Sequence, residues 1–407
     1  MNEPLLLGIR ESLDRFIPWL ERFGETSQDQ QDFYAGKVGS MAKALYYRKK
    51  WLGTIAVMPM VFCEAMVPSA RRIFHPPMRL PIADAHYAMG FALMFRATGK
   101  EEYLEKAVHF LEVLKQTRCP GYRFACWGYP FDWQTRNGII KAGTPLVTTV
   151  PYCYEAFEYV YRIDRKDEWR EMLRSIAEHT LLDYQDVQNG PDAATCTYTP
   201  FGGPGVVNAS AYRSFLLTSA ALEFGDDRYS RAAAQNLNFV LQSQKPDGSW
   251  PYSVDGARGF VDHFHTCFVM KGLAKIDKMA KHEGCRRALQ KGVEYYLLNL
   301  FDDHGLPKPF SRAPRMTVYK RELYDYAECL NLGMLLRERF PRLEQTIERV
   351  AVDLLEHWTK RDGSFRSRKL FLGYDNVPMH RWGQSEVFRS LSLILANGAG
   401  FEVFTAK

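Results

Sequence analysis

The stretch Asn208-Ala-Ser-Ala-Tyr-Arg-Ser-Phe-Leu-Leu-Thr-Ser-Ala-Ala-Leu-Glu-Phe224 is rich in small and aromatic residues all round, and a helical run with a polar face, 228–244, follows it after a short break at Gly225. A helix that is apolar all round belongs inside a fold, and an amphipathic one belongs outside. The two runs therefore read as the inner and outer members of one helical hairpin. The same alternation appears at 84–98 with 101–117, 146–164 with 167–184, 261–274 with 285–300, and 320–340 with 343–359. A sixth inner run, 380–396, has no mate after it. The N-terminal run 5–23, with Leu6, Ile9, Leu13, Ile17 and Leu20 at helical spacing, can supply one. Six hairpins then close into a ring, which hides both ends of an otherwise open solenoid. The expectation is an all-α chain forming one domain over 1–407, with a helix and extension over 1–80 and hairpins over 81–397.

Each inner run opens with a cluster of polar and aromatic residues. The clusters are Asp84-Ala-His86-Tyr87, Thr148-Thr-Val-Pro-Tyr152, Asn208-Ala-Ser-Ala-Tyr212-Arg213, Asp262-His263-Phe-His265, Tyr324-Asp325-Tyr-Ala-Glu328 and His380-Arg381-Trp382-Gly-Gln384. They recur roughly every 50–65 residues, the period range of repeat architectures. Long loops rich in Gly, Pro and aromatics (119–143, 185–206, 245–259, 301–319, 360–379) lead into them. Loops of that length in a compact domain are usually functional. A ring would gather all the clusters and loops at one end, around a polar cleft.

The bulk numbers exclude several classes. The 407 residues are 46% hydrophobic and 25% charged, which supports a large core rather than disorder. The net charge is +6, and no Lys/Arg run exceeds Arg48-Lys49-Lys50, so a dedicated nucleic-acid binder is not expected. Eight cysteines with no CxxC pair imply a reducing, cytoplasmic setting without a disulfide framework. The N-terminus has no basic segment before Leu5-Leu-Leu7, so no secretory signal is read there. The apolar window 51–66 contains Pro59 and Glu64 and falls below spanning length. It is expected to be a packed core helix, although flanking Lys49, Lys50, Arg71 and Arg72 permit peripheral contact with membrane biosynthetic machinery.

The turn Gln244-Lys-Pro-Asp247-Gly-Ser-Trp250 and its echo Lys360-Arg-Asp362-Gly-Ser-Phe365 each follow an outer helix. With the hairpin alternation, they make residues 80–396 resemble the (α/α)6 toroid, or six-hairpin, superfamily. That superfamily holds glycosidases, polysaccharide lyases and uronyl epimerases. More narrowly, Gly128-Tyr-Pro-Phe-Asp-Trp-Gln134 and Asp262-His-Phe-His-Thr266 resemble proteins encoded with bacterial exopolysaccharide biosynthesis genes. The resemblance implies a poly- or oligosaccharide substrate in the long-loop cleft.

Candidate chemistry centres on the loop Trp127-Gly-Tyr129-Pro-Phe-Asp132-Trp133-Gln-Thr-Arg136. Trp127, Tyr129, Trp133 and Trp250 suit stacking on pyranose rings. Tyr152, Tyr212, Arg136, Arg213, Arg321, His380, Arg381 and Trp382 are further substrate-binding candidates. Glycoside hydrolysis needs two carboxyl groups, for which Asp132 with Asp262 or Asp325 is expected. Elimination or epimerisation on a uronate would instead use His263, His265 and Tyr324 as proton movers. Asp84, Glu155, Glu328 and Glu386 lie at the same end and read as caps or ion-pair members. No metal is expected, since a zinc site at His263 would need ligands from other loops. No Walker or Rossmann fingerprint appears, so no cofactor is expected. Two alternatives stay open: a non-catalytic glycan-binding or scaffold toroid, and an isoprenoid-binding toroid with a Phe/Leu-lined cleft.

Overall fold

The computed structural model describes residues 3–398. Tight links set the hairpins. Helices α6 (Pro81–Thr98) and α7 (Glu101–Gln116) are joined through Gly99, at φ +70°. Helices α8 (Val150–Asp164) and α9 (Asp167–Leu182) turn at Arg165, at φ +55°. Helices α10 (Val207–Phe224) and α11 (Asp227–Gln242) turn at Gly225, and α12 (His263–Ala280) and α13 (Glu283–Asn299) at Lys281. A left-handed residue at each of these positions ends one helix and reverses the chain, a common C-terminal stop. The fifth pair is α14 (Leu323–Leu336) and α15 (Arg342–Asp353), and the sixth inner helix is α16 (Ser385–Gly398).

The even-numbered helices α6 to α16 form the inner ring, which α16 closes by packing against α6. They are buried almost all round, whereas α7, α9, α11, α13 and α15 bury one face. Helix α1 (Glu3–Phe23) takes the sixth outer place, against α16 and α15. Its Phe16 stacks on Phe388 and Phe365, each at 5.4 Å between ring centroids. The fold is thus an (α/α)6 toroid whose N-terminal helix completes the outer ring.

The two Asp-Gly-Ser turns show how that place is specified. In each, the aspartate accepts from the serine N–H at 3.0 Å and from its hydroxyl, at 2.6 Å for Asp247 and 2.7 Å for Asp362. Gly248 has φ +91°, and a Cβ there would lie 2.3 Å from the Lys291 carbonyl oxygen on α13. Gly363 has φ +96° and would meet the Arg15 carbonyl on α1 at 2.4 Å. The same latch therefore docks on α13 in one repeat and on α1 in another.

Two expectations are corrected. The run 380–396 is not one helix: His380–Gln384 forms a π-type turn in which Trp382 and Gly383 leave helical geometry. Gly383 approaches α14 so closely that a Cβ would sit 2.8 Å from Leu323 Cδ2. The window 51–66 is not a packed core helix. The extension holds α2 (Asp32–Ala35), α3 (Lys37–Arg48), α4 (Lys50–Met66) and α5 (Arg71–Phe74), and α4 buries only Gly53 and Met60. Three pairs pin this extension to the toroid: Arg71 with Asp375 (2.6 Å), Asp29 with Arg381 (2.6 and 2.8 Å) and Glu64 with Arg368 (2.6 Å).

The long loops carry short antiparallel strands. These are β1 (Trp133–Thr135) with β2 (Gly138–Ile140), β3 (Asp186–Gln188) with β4 (Ala194–Cys196), β5 (Val261–Asp262) with β6 (Phe310–Arg312), and β7 (Tyr319–Glu322) with β8 (Arg368–Leu370) and β9 (Tyr374–Asp375). Strand β7 occupies the start of the run expected to be helical from 320.

Candidate active site at the long-loop end

Aromatics from six segments, partly exposed except for Phe131 and Tyr324, meet at the long-loop end of the inner ring. Tyr129 stacks on Phe131 and meets Trp133 edge-on at 5.6 Å, and Trp133 lies 6.2 Å from Tyr198. Tyr252 stacks on Phe260 at 4.7 Å and meets the His265 ring edge-on at 4.6 Å. Phe264 joins His265 to Trp382 at 5.6 Å, and Trp382 meets Tyr324 at 4.5 Å. The Arg381 guanidinium lies 4.4 Å above Tyr129 and 5.0 Å from the Trp382 ring, which links the Trp382 group to the Tyr129 group. Burial, followed by the nearby Tyr252 and Tyr129 hydroxyls, pushes the Tyr198 phenol well up.

His265 is the imidazole of this rim. Asp262 caps α12 by accepting from the His265 backbone N–H (3.2 Å), and its other oxygen lies 2.6 Å from His265 Nδ1. The carboxylate is 2% exposed and the imidazole 21%, so an almost buried acid orients a partly exposed base. A carboxylate at Nδ1 fixes the tautomer and leaves Nε2 as the proton-accepting nitrogen.

Beneath the rim, the ring axis is filled by charge. Lys271 Nζ lies 2.7 and 2.9 Å from the two Glu328 oxygens, and Lys275 pairs with Glu155. Arg389 reaches Glu155 (3.8 Å), Glu386 (3.9 Å) and His86 Nδ1 (3.3 Å), while His86 Nε2 contacts Glu386. Asn331 donates to Glu386 at 3.2 Å, and the Tyr152 and Tyr212 hydroxyls bond to each other. All these charged groups are buried. Burial pushes the Glu328 carboxyl up to about 8 against the opposing pull of Lys271, and neighbouring Glu386 adds to the rise. Asp325 is also driven well up by burial, and neither of its oxygens has a hydrogen-bond partner among the described residues.

The sequence-derived candidates separate by the direction in which each side chain faces. Tyr129, Trp133, His265, Tyr324, Arg381 and Trp382 meet at the rim, with Asp262 behind His265. Tyr152 and Tyr212 lie below, in the buried floor, and Asp325 is buried on α14 near Glu322, Asp262 and Glu328. The others are placed elsewhere. Trp127 and Trp250 are core residues whose indole N–H groups donate to the Leu114 (2.8 Å) and Val240 (3.0 Å) carbonyls of outer helices. His263 faces the outer ring between Tyr296 (2.8 Å) and the Leu300 carbonyl (3.2 Å), and burial lowers it to about 3. A buried imidazole held neutral between a phenol and a carbonyl is a poor proton mover.

His380 bonds Tyr87 (2.6 Å) and the Gly24 carbonyl (3.0 Å), and so ties α16 to the N-terminal segment. Arg213 is buried between α9 and α11 on Thr180, Asn236 and Asp186. Arg321 is committed to Asp302, with Nε at 3.0 Å. Arg136 is exposed at the tip of the β1–β2 hairpin. Asp132 braces the same hairpin through Lys141 (2.7 Å) and the Ala142 N–H (2.9 Å), and these bonds hold its carboxyl below the usual range. It is therefore a poor general acid. The axial residues His86, Lys271, Lys275 and Arg389 were not among the candidates. The signal for them was charge at positions 9 and 13 of an otherwise buried helix, as at Lys271 and Lys275 in α12. Among the described residues, no group of three or more His, Cys, Asp or Glu side chains is placed to hold a metal.

No protein-family model matches this sequence, and no curated protein matches it. By structure, the chain is similar to cellobiose 2-epimerase from Bacillus thermoamylovorans B4167, with a TM-score of 0.61 and 10% identity over 79% of this chain and 88% of that one. It is similar to a polysaccharide lyase, with a TM-score of 0.57 and 11% identity over 86% and 99%. A glycosyl hydrolase family 88 protein from Bacteroides vulgatus matches with a TM-score of 0.55 and 11% identity, again over 86% and 99%. These likenesses show the shared toroid fold.

Proposed function

We propose that this protein is a carbohydrate-active enzyme that binds a poly- or oligosaccharide in the aromatic rim and transfers a proton through His265. The observation that carries the reading is the Asp262–His265 pair, a 2.6 Å contact whose imidazole is partly exposed among sugar-sized aromatic faces. Asp262 keeps Nδ1 protonated, so Nε2 takes or returns a proton at a sugar carbon or hydroxyl. Tyr252, Phe264 and Trp382 are the stacking walls beside it. This arrangement suits epimerisation or elimination better than hydrolysis by two carboxyl groups, because Asp132 is tied into its hairpin and Asp262 is bound to His265. The structural neighbours, an epimerase, a lyase and a hydrolase by name, all bear carbohydrate-enzyme names on this fold. We place the substrate in bacterial exopolysaccharide production on the two sequence strings at 128–134 and 262–266. Eight free cysteines support a reducing, cytoplasmic setting.

A second reading is a non-catalytic glycan-binding scaffold. It is favoured by the sealed floor, where Asp325, Glu328 and Glu386 are fully buried. An isoprenoid site is less well supported, because the rim carries phenols, indoles, an imidazole and a guanidinium rather than Leu and Phe alone.

The test is incubation with neutral and uronate oligosaccharides in heavy water, followed by NMR for deuterium exchange, epimers and unsaturated ends. Wild type should turn over one class, and His265→Gln should lose about 100-fold or more, the usual share of a general base. Binding without turnover on any saccharide favours the scaffold. Full activity in His265→Gln rejects the assigned base.

A further inference from the structure

Within the extension, the segment 37–75, which carries α3, α4 and α5, stands apart from the toroid in both charge and exposure. It holds seven Lys and Arg and one acid, Glu64, whereas the rest of the chain holds 46 basic and 46 acidic residues. The whole net charge of +6 is thus contributed by this segment. Its inward groups are already engaged: Arg71 with Asp375, Glu64 with Arg368, and Lys43 with Gln31 and the Tyr34 ring. Lys37, Arg48, Lys49, Lys50 and Arg72 are exposed.

Apolar groups are exposed beside them. On α4, Trp51 (77% exposed), Ile55, Met58, Phe62 (61%) and Met66 follow steps of four, three, four and four, which place them on one helix face. Val38 and Met41 of α3 are exposed as well, at 71% and 72%. Exposed apolar stripes of this size mark interaction surfaces. A helix with a Trp/Phe face and flanking Lys/Arg is the signature of an element lying in a lipid interface. Among the described residues no single helix is long and apolar enough to cross a membrane, and the chain bends by 120° between α4 and the following Pro68–Phe74 segment. The one-sided stripe on α4 suits an element lying in the interface plane better than the bent α4 and Pro68–Phe74 pair suits a broken span.

We infer that the α3–α4 extension docks this protein on an anionic phospholipid surface, with the Trp51–Met66 stripe in the interface and the exposed Lys and Arg on the headgroups. Charge selects this occupant. Two copies meeting through this face would oppose five cations to five cations with no exposed acid between them. An anionic leaflet attracts each cation near its surface.

The experiment is co-sedimentation of the full chain with vesicles of phosphatidylcholine alone or mixed with phosphatidylglycerol, at low and high salt. Wild type should pellet with the anionic vesicles, at least about tenfold more weakly with neutral ones, and less at high salt. The double variant Trp51→Ser with Phe62→Ser alters exposed side chains, so its melting should match wild type while vesicle binding falls at least about tenfold. The Lys49→Glu with Lys50→Glu variant should lose anionic binding through charge alone. Three results would overturn the inference. They are no pelleting with anionic vesicles, unchanged binding of the serine variant, and light scattering that shows a dimer which the serine variant dissociates.

Discussion

Glu328→Gln tests whether the ring axis is held by a salt bridge or by a protonated acid. The Glu328 carboxyl is fully buried, with Lys271 at 2.7 and 2.9 Å and the Glu386 carboxyl beside it. Burial raises it from 4.5 to about 8. An unfolded chain releases this proton near 4.5, whereas the folded chain keeps it to about 8. Between those pH values the folded state binds more protons, so wild type loses stability as pH rises through the window. At about 1.4 kcal/mol per pH unit, the full span is on the order of 5 kcal/mol. Glutamine keeps the shape of the protonated acid and has no proton to lose. The stability of the variant relative to wild type should therefore rise by roughly 3.5 kcal/mol from pH 5 to pH 8. The other axial groups (His86, Glu155, Lys271, Lys275, Asp325, Glu386 and Arg389) are common to both proteins and largely cancel. Urea titrations followed by circular dichroism at several pH values give the comparison. If Glu328 is instead ionised opposite Lys271, the glutamine variant leaves a buried cation unmatched. It would then be less stable by roughly 3–5 kcal/mol, with no narrowing of the gap toward pH 8, and the protonated-acid argument would fail.

Three further outcomes follow from the packing. Arg381→Ala removes both bonds to buried Asp29, so thermal melting should report a loss of about 3–5 kcal/mol. Gly363→Ala places a Cβ 2.4 Å from the Arg15 carbonyl at a left-handed φ, so it should weaken the α1 latch and make α1 the first site of limited proteolysis. Trp127→Ala should cost about 3–5 kcal/mol of stability without selectively weakening saccharide binding. Trp382→Ala should do the reverse, with little change in melting and up to about tenfold weaker binding by calorimetry.

The ring was legible because each repeat states it independently. The inner helices are apolar all round, the outer ones have a charged face, and two Asp-Gly-Ser turns mark where an outer helix docks. The site was legible only in part, because a helix advances about 100° per residue and a cluster of adjacent letters fans out over several faces. Tyr212 reaches the axis while Arg213 turns to α9 and α11. His265 faces the rim while His263, two residues earlier, faces Tyr296. The turn before α16 divides the same way: Trp382 joins the rim and His380 turns to α1. The extension was misread for another reason. An apolar stripe at helical spacing looks the same whether protein or something else covers it, and only the fold shows that the toroid leaves α4 uncovered.

The latching of α1 beside α16 also bears on when the site comes into being. Five hairpins are local in sequence and can form as soon as their helices exist. The seam cannot, because Ser27 bonds to His380 across 353 positions and Asp29 bonds to Arg381 across 352. Arg381 is also the group that lies over Tyr129 and beside Trp382 at the rim. An intermediate with every hairpin built but the seam open would have native helices and no assembled cleft. In this chain, the contacts that close the ring also complete the site.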